Sequence, residues 1–378
     1  MKLFLIAGEP SGDRLGAALM AGLKLLLPEV RFAGVGGPLM QAEGLDSLFP
    51  MEDLAVMGIA EVLPKYRFLK RRIREAAAAA LAADPVALIT IDSPDFCLRV
   101  ARQIKAARPG LRTIHYVAPS VWAWRPGRAA KMAEVIDHVL ALLPFEPPYM
   151  TAAGMSCDFV GHPVVAEPLA TPEERGLMTG QGPLILALPG SRRGEVSRLA
   201  PVIGAVLAQI RQAHPEARVV LPTVRGVAAL VRDLTADWPI APQIVTDAAQ
   251  KRAAFASADV AIAASGTVSL ELAANACPMV IAYKLHPISF WLMKRAALID
   301  TVTLVNLVSE SRSVPEFLGP ACQPGPIADA LLALLSDGPE RAAQQAAMRL
   351  TMQRLGQGGA PPGLRAAQSV LAALAGSA

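Results

Sequence analysis

The chain has 378 residues and four cysteines, and its hydrophobic content is 53% with a mean hydropathy of +0.39. No window reaches the about 18 unbroken apolar residues of a membrane-spanning helix, so the apolar residues predict buried cores, with length for two domains. A net charge of +4 and a pI near 9.0 allow an anionic partner. Cys97, Cys157, Cys277 and Cys322 have no CxxC pair or matching histidine spacing, and so read as buried small residues rather than metal ligands or disulfides.

The opening MKLFLIAGEPSGD is too short in its apolar core for a signal peptide. It reads as a buried strand over 2–7, then a turn Gly8-Glu9-Pro10-Ser11-Gly12-Asp13, then a helix to about Leu27, in a chain expected to be cytoplasmic. Ser11 and Gly12 are candidates to line a ligand site. The pattern is that of a nucleotide-type α/β unit without the GxGxxG fingerprint. Further strand-like runs over 31–35, 86–91, 113–117, 138–142 and 157–160 alternate with helical segments and predict a parallel sheet covered on both faces.

Between Met57 and Arg74 the text changes. Val62, Leu63, Tyr66, Phe68 and Leu69 interleave with Lys65, Arg67, Lys70, Arg71, Arg72 and Arg74. This is either a contact with an anionic membrane surface, apolar side chains dipping in and cations on headgroups, or a basic helix packed on the core. Pro64 predicts a turn there. After the strand 86–91 come Asp92-Ser93-Pro94-Asp95-Phe96, carboxylates at the end of a parallel strand, where open α/β sheets hold ligands. Either can serve as a general base; Asp95 also reads as the N-cap of a helix from Phe96 to Ala107, so Asp92 comes first. The loop from His115 to Arg125, with Trp122, Trp124 and Arg125, either lines an acceptor pocket or packs against the sheet. For His115, inside a strand, packing is at least as good a reading.

A polar connection over 164–182 predicts the interdomain linker, separating 1–165 from 183–355. The strand–turn–helix pattern then restarts, with LILAL at 184–188 and Gly190-Ser191-Arg192 as an anion-facing corner or a plain surface turn. In VAIAASGTVSLE, from Val260 to Glu271, a buried strand ends in Ser265-Gly266-Thr267 and a helix follows. Its first-turn N–H groups suit a phosphate, and Glu271, which repels phosphate, suits a sugar hydroxyl pair. The alternative is an ordinary capped turn with a solvated glutamate. Asn306 is placed in a late loop. Two α/β halves imply a cleft, with a donor in the second and an acceptor in the first.

GEPSGD, DSPDF, HYVAPSVWAWRPGR, PFE, FVGHP, LPGSRRGEV, ASGTVSLE, CPMVIAY, FWLMKR and VNLV occur in the order found in lipid-A-disaccharide synthases, and the chain resembles that family along almost its whole length. It departs at Pro10 and Ala118, where the family more often has Ala and Ser. The resemblance implies an α/β fold of the glycosyltransferase B type, two Rossmann-like domains facing a cleft, with a C-terminal helix, about 356–378, returning to the first. It implies transfer of a sugar from UDP-2,3-diacylglucosamine to the 6-hydroxyl of 2,3-diacylglucosamine 1-phosphate (lipid X), with inversion, at the cytoplasmic face of the inner membrane. Asn306 is carried over as a donor-site residue, and membrane contact by Val62, Leu63, Tyr66, Phe68, Leu69, Arg71 and Arg72 gains a purpose from acylated substrates. Fixed donors can replace a metal, and no DxD pair follows a strand, so neither metal nor cofactor is expected. The rivals are another UDP-sugar enzyme of the same fold, such as a UDP-N-acetylglucosamine transferase or 2-epimerase, and a non-catalytic surface-binding protein. Nucleic acid is not an expected partner, because the cations are concentrated in one apolar-rich segment and aromatics are 5%.

Overall fold

A computed structural model describes residues 1–54 and 59–376, with the side chains of 59–66 and of 287–288 outside the description. It divides into two compact units, 1–166 with 358–378 and 167–357.

The first unit is built on seven parallel strands: β1 (Lys2–Ala7), β2 (Arg31–Val35), β3 (Asp46–Ser47), β4 (Ala87–Ile91), β5 (Arg112–Tyr116), β6 (His138–Ala141) and β7 (Ser156–Phe159). Their order is β3-β2-β1-β4-β5-β6-β7. In β1, Leu3, Leu5 and Ala7 enter one apolar layer while Phe4 and Ile6 enter the opposite one. Both faces are therefore covered by helices, which is why these strands are near-continuous apolar runs.

The helix Pro10–Leu26 starts four residues earlier than the glycine turn implies, because Pro10 at its first position pre-sets the helical φ. Asp13 thus lies in its first turn, 3% exposed, and accepts from the N–H groups of Gly37, Leu39 and Met40 at 2.9–3.0 Å. It caps the short helix Pro38–Ala42 from another element. Asp13→Ala is expected to destabilise the protein by about 3 kcal/mol, since it orphans buried N–H groups that bond a charged acceptor. An unchanged denaturant midpoint would show that water takes the carboxylate's place.

The last helix, Pro362–Ala375, packs on Pro10–Leu26 in the first unit. The approach is close: a Cβ on Gly22 would fall 2.6 Å from the Gly363 carbonyl oxygen, and one on Gly363 would fall 2.4 Å from that of Ala18. Ser369 adds a polar pin, hydrogen-bonded to Asp158 at 2.6 Å and to His138 Nε2 at 2.8 Å.

The second unit has six parallel strands: β8 (Leu184–Leu188), β9 (Arg218–Pro222), β10 (Pro242–Val245), β11 (Val260–Ala263), β12 (Met279–Tyr283) and β13 (Glu316–Leu318), in the order β10-β9-β8-β11-β12-β13. The two-residue β3 and three-residue β13 are edge strands too short to carry a sequence signal. The polar connection over 164–182 carries structure of its own. Thr171 and Glu174 form a capping box for the turn Pro172–Arg175, and Glu174 is ion-paired with Arg252 of the second unit. The helix Ile59–Ala83 runs through Pro64, its sixth residue, without the expected turn, and forgoes one backbone hydrogen bond there. Among the described residues, no helix is long and apolar enough to cross a membrane.

Candidate active site

In each sheet the chain lays strands outward in one direction, then returns to lay the rest in the other. The reversals fall between β1 and β4 and between β8 and β11. At such a switch point the two connections leave the carboxyl edge in opposite directions and open a crevice.

In the second unit, the corner 190–192 after β8 and the corner 265–267 after β11 open on one cavity of about 380 Å³. Gly266 has φ +147°, outside the usual range of a side-chain-bearing residue, and a Cβ there would meet nothing within 4 Å, so the backbone faces open space. Ser265, Thr267 and Glu271 line the same cavity, the last from one turn inside the helix Val268–Ala274. Two of its residues, Lys251 and Thr223, are not singled out by the sequence pattern. Lys251 Nζ donates to Glu271 Oε2 at 2.5 Å. Thr223, directly after β9, has a buried Oγ1 without a hydrogen-bond partner among the described residues; its place at a strand's carboxyl end was the available signal. Glu195 folds back on the first corner, accepting from the N–H groups of Ser191 and Arg192 at 3.3 Å and from the Arg192 guanidinium at 3.0 Å. The donors proposed for an anion are thus engaged by a carboxylate of the same turn, which stands where an anion would. Helix Arg193–Ala213 begins directly after this corner, with Glu195 as its capping acid.

Asn306 is not brought to this cavity. It lies in the helix Leu304–Ser309 rather than a loop and is 1% exposed. Its amide donates to Thr301 Oγ1 and the Val314 carbonyl and accepts from the Val314 N–H at 3.0 Å. These bonds tie the segment before β13 together, a structural task that uses up the side chain.

In the first unit, Asp92, Ser93, Asp95 and Glu9 line a cavity of about 420 Å³ at the β1/β4 reversal. Its wall is half apolar, with Leu54, Leu69, Ile73 and Phe96, and it carries Lys70 and Arg99. Asp92 and Ser93 both have left-handed backbones, φ 52° and 44°, a strained pair that swings the chain from strand to helix. The turn is tied by the Asp92 N–H donating to the Tyr116 carbonyl and the Ser93 N–H donating to Asp92 Oδ1, each at 2.9 Å. Asp95 is not the N-cap. The helix is Pro94–Ala107, because Pro94 takes its first position, and Asp95 sits exposed in the first turn.

Ser11, Trp122, Trp124 and Arg125 do not line either cavity. Ser11 is exposed, and Gly12 is buried against the Ile91 carbonyl. Trp122 stacks edge-on with Phe145 at 5.1 Å and donates to Glu146, whose carboxyl burial pushes up to about 7 against three N–H donors. Arg125 lies over the half-exposed Trp124 ring at 4.2 Å. His115 is a packed residue, bonded to Thr90 at 2.7 Å and pushed down to about 4 by burial, hence neutral. Of the basic-apolar segment, Val62, Leu63 and Tyr66 have side chains outside the description. Phe68 and Leu69 are half-buried, Arg71 is exposed, and Arg72 is engaged by Asp53 and Glu75 and stacked on Phe49 at 4.4 Å. Arg72 is therefore a structural cation, not one free for a membrane.

Two Rossmann-like domains of this kind define a class. The UDP-GlcNAc 2-epimerase from Neisseria meningitidis, solved with UDP-GlcNAc, superposes with a TM-score of 0.66 at 12% identity, covering 100% of both chains. CalG4, the calicheamicin glycosyltransferase, superposes with a TM-score of 0.62 at 15% identity over 100% of this chain and 99% of that one. The fold is thus the glycosyltransferase B type. The sequence carries the assignment further: the family described as Lipid-A-disaccharide synthetase matches residues 3–362. The lipid-A-disaccharide synthase of Ruegeria pomeroyi is 62% identical over 389 residues, covering 100% of this chain and 96% of that protein, and that of Rhodospirillum centenum is 46% identical over 383, covering 98% and 94%. The chain belongs to the lipid-A-disaccharide synthase family and is a glycosyltransferase of lipid A disaccharide synthesis.

Proposed function

We propose that the chain transfers 2,3-diacylglucosamine from UDP-2,3-diacylglucosamine to the 6-hydroxyl of 2,3-diacylglucosamine 1-phosphate, releasing UDP and forming a β-1,6 linkage with inversion. The observation that carries this is the second unit's switch-point cavity, where Ser265, Gly266, Thr267, Ser191, Arg192 and Glu271 converge. Backbone donors and a guanidinium there suit the diphosphate, and Glu271, set beside them by Lys251, suits the ribose hydroxyl pair. Glu195 acts as a placeholder, giving up the Ser191 and Arg192 N–H groups to the incoming anion.

The first unit's cavity takes the acceptor. Its apolar wall suits an acyl chain, Lys70 and Arg99 a phosphate, and Asp92 accepts the proton of the 6-hydroxyl. The hydroxyl oxygen then bonds the donor's anomeric carbon from the face opposite the diphosphate, whose C–O bond breaks, and the electron pair leaves with UDP. One displacement inverts the anomeric centre, and fixed N–H and guanidinium donors stabilise the charge that develops. The enzyme works at the cytoplasmic face of the inner membrane, with the basic-apolar segment of helix Ile59–Ala83 as its lipid contact. Replacing Leu63, Phe68 and Leu69 with Ser should cut liposome association severalfold without unfolding the protein; undiminished association removes this contact.

The test of the reaction is an assay of purified protein with both acylated substrates in excess EDTA, following disaccharide and UDP. Product in EDTA is expected. Folded, UDP-binding protein that forms no disaccharide would leave the reading to other UDP-sugar enzymes of the same fold. Product that requires added divalent metal would overturn the metal-independent mechanism.

A further inference from the structure

The largest exposed apolar side chains of the second unit gather on one short helix, Pro287–Ala296, and the turn after it. Trp291, Leu292, Met293 and Leu298 are 56%, 55%, 56% and 60% exposed, while most large apolar residues of the unit are buried. Scattered single exposures are ordinary, but a contiguous cluster that keeps Trp, Leu and Met in water is costly and marks a contact surface.

The helix is held to its unit by the opposite side chain. The Phe290 ring packs against Gly319, where a Cβ would fall 2.5 Å from Cδ2, so a side chain at 319 would displace the ring. With Phe290 as the anchor, the next three residues follow at about 100° intervals around the helix and together sweep most of the remaining girth. A protein groove covers one face of a helix; a fluid apolar medium covers a protruding girth of this kind.

The charges agree. From Lys284 to Ile299 there is no carboxylate, while Lys284, His286, Lys294 and Arg295 are all exposed. The Arg295 guanidinium stacks on the Trp291 ring at 5.2 Å, placing a cation and an amphipathic ring side by side, as at the headgroup boundary of an anionic bilayer.

We infer that the helix Pro287–Ala296 is a membrane-docking element of the second unit, its Trp291, Leu292, Met293 and Leu298 entering the acyl boundary while Lys294 and Arg295 meet anionic headgroups. This deepens the proposed function, resting on it only for the lipid character of the substrates. It gives the UDP-sugar unit its own lipid contact, independent of helix Ile59–Ala83.

The test is sedimentation of the full chain with vesicles of phosphatidylcholine and about 30% phosphatidylglycerol, compared with phosphatidylcholine alone, both at low and raised salt. The variant Trp291→Ser/Leu292→Ser/Met293→Ser is expected to lower partition onto the anionic vesicles about tenfold, with UDP affinity and thermal midpoint unchanged. Lys294→Glu/Arg295→Glu is expected to remove most of the difference between anionic and neutral vesicles and flatten the salt dependence. Unchanged partition of both variants overturns the inference. So does a triple variant whose only change is a smaller oligomer in solution, which would make the patch an interface between copies of the chain. Loss of vesicle binding by the variants in a protein that makes no disaccharide would leave the docking element standing and sink the reaction instead.

Discussion

Asp92→Asn is expected to lower turnover by about 10²- to 10⁴-fold while leaving UDP affinity unchanged. The substitution is chosen for what it preserves. Asn tolerates the left-handed backbone that residue 92 adopts, φ 52°, and its Oδ1 still accepts from the Ser93 N–H. The turn from β4 into helix Pro94–Ala107 is therefore kept, and what disappears is a proton acceptor in the cavity. UDP affinity stays because the proposed diphosphate and ribose contacts all lie in the other unit. The measurement is a steady-state assay at saturating substrates beside UDP titration calorimetry. Near-normal turnover would show that Asp92 is not the base and move the assignment to the exposed Asp95, whose own Asn variant then decides it.

Glu271→Ala acts on the opposite step. A hydrogen bond to a charged acceptor contributes about 1.5–3 kcal/mol, and about 1.4 kcal/mol is tenfold in affinity, so UDP should bind roughly ten- to a hundredfold more weakly. The loss should shrink for a ligand without the ribose diol, such as inorganic diphosphate, because the carboxylate serves the sugar and not the phosphates. Lys251→Ala is a milder control: it removes the 2.5 Å ion pair but leaves the carboxylate, so a smaller fall in UDP affinity is expected. If Glu271→Ala binds UDP as tightly as the parent, Glu271 is a helix residue paired with Lys251 and the ribose reading fails.

Much of this architecture was legible in the chain. The strands β1, β4, β8 and β11 are runs of buried apolar residues because both faces of each sheet are covered, and such runs ending in Gly, Ser or Asp mark carboxyl-edge corners. Asp92 and the 265–267 corner could be found this way. Helix starts are hard to read where proline intervenes, since Pro10 and Pro94 each open a helix that the neighbouring glycine or aspartate makes look later. Asn306 and Arg72 look available to ligands in one dimension, as polar and cationic groups do. In three, Asn306 is spent on Thr301 and Val314, and Arg72 on Asp53, Glu75 and Phe49.

By itself the sequence determined the class of fold, the family and the residue types at the strand ends, because periodicity and local turn chemistry are properties of neighbouring residues. Only the tertiary structure decided which of those ends share a crevice. Strand order puts β8 beside β11 and β1 beside β4, residues 76 and 85 positions apart by their first members, 184 and 260, 2 and 87. It also decided that Glu195 occupies the corner it follows, that Lys251 sets Glu271, and that Phe290 packs on Gly319 while Trp291, Leu292 and Met293 stand in water. The physical reason is common to all of them: hydrogen bonds and buried contacts are satisfied across space, and a side chain's availability is what remains after its distant partners have been met.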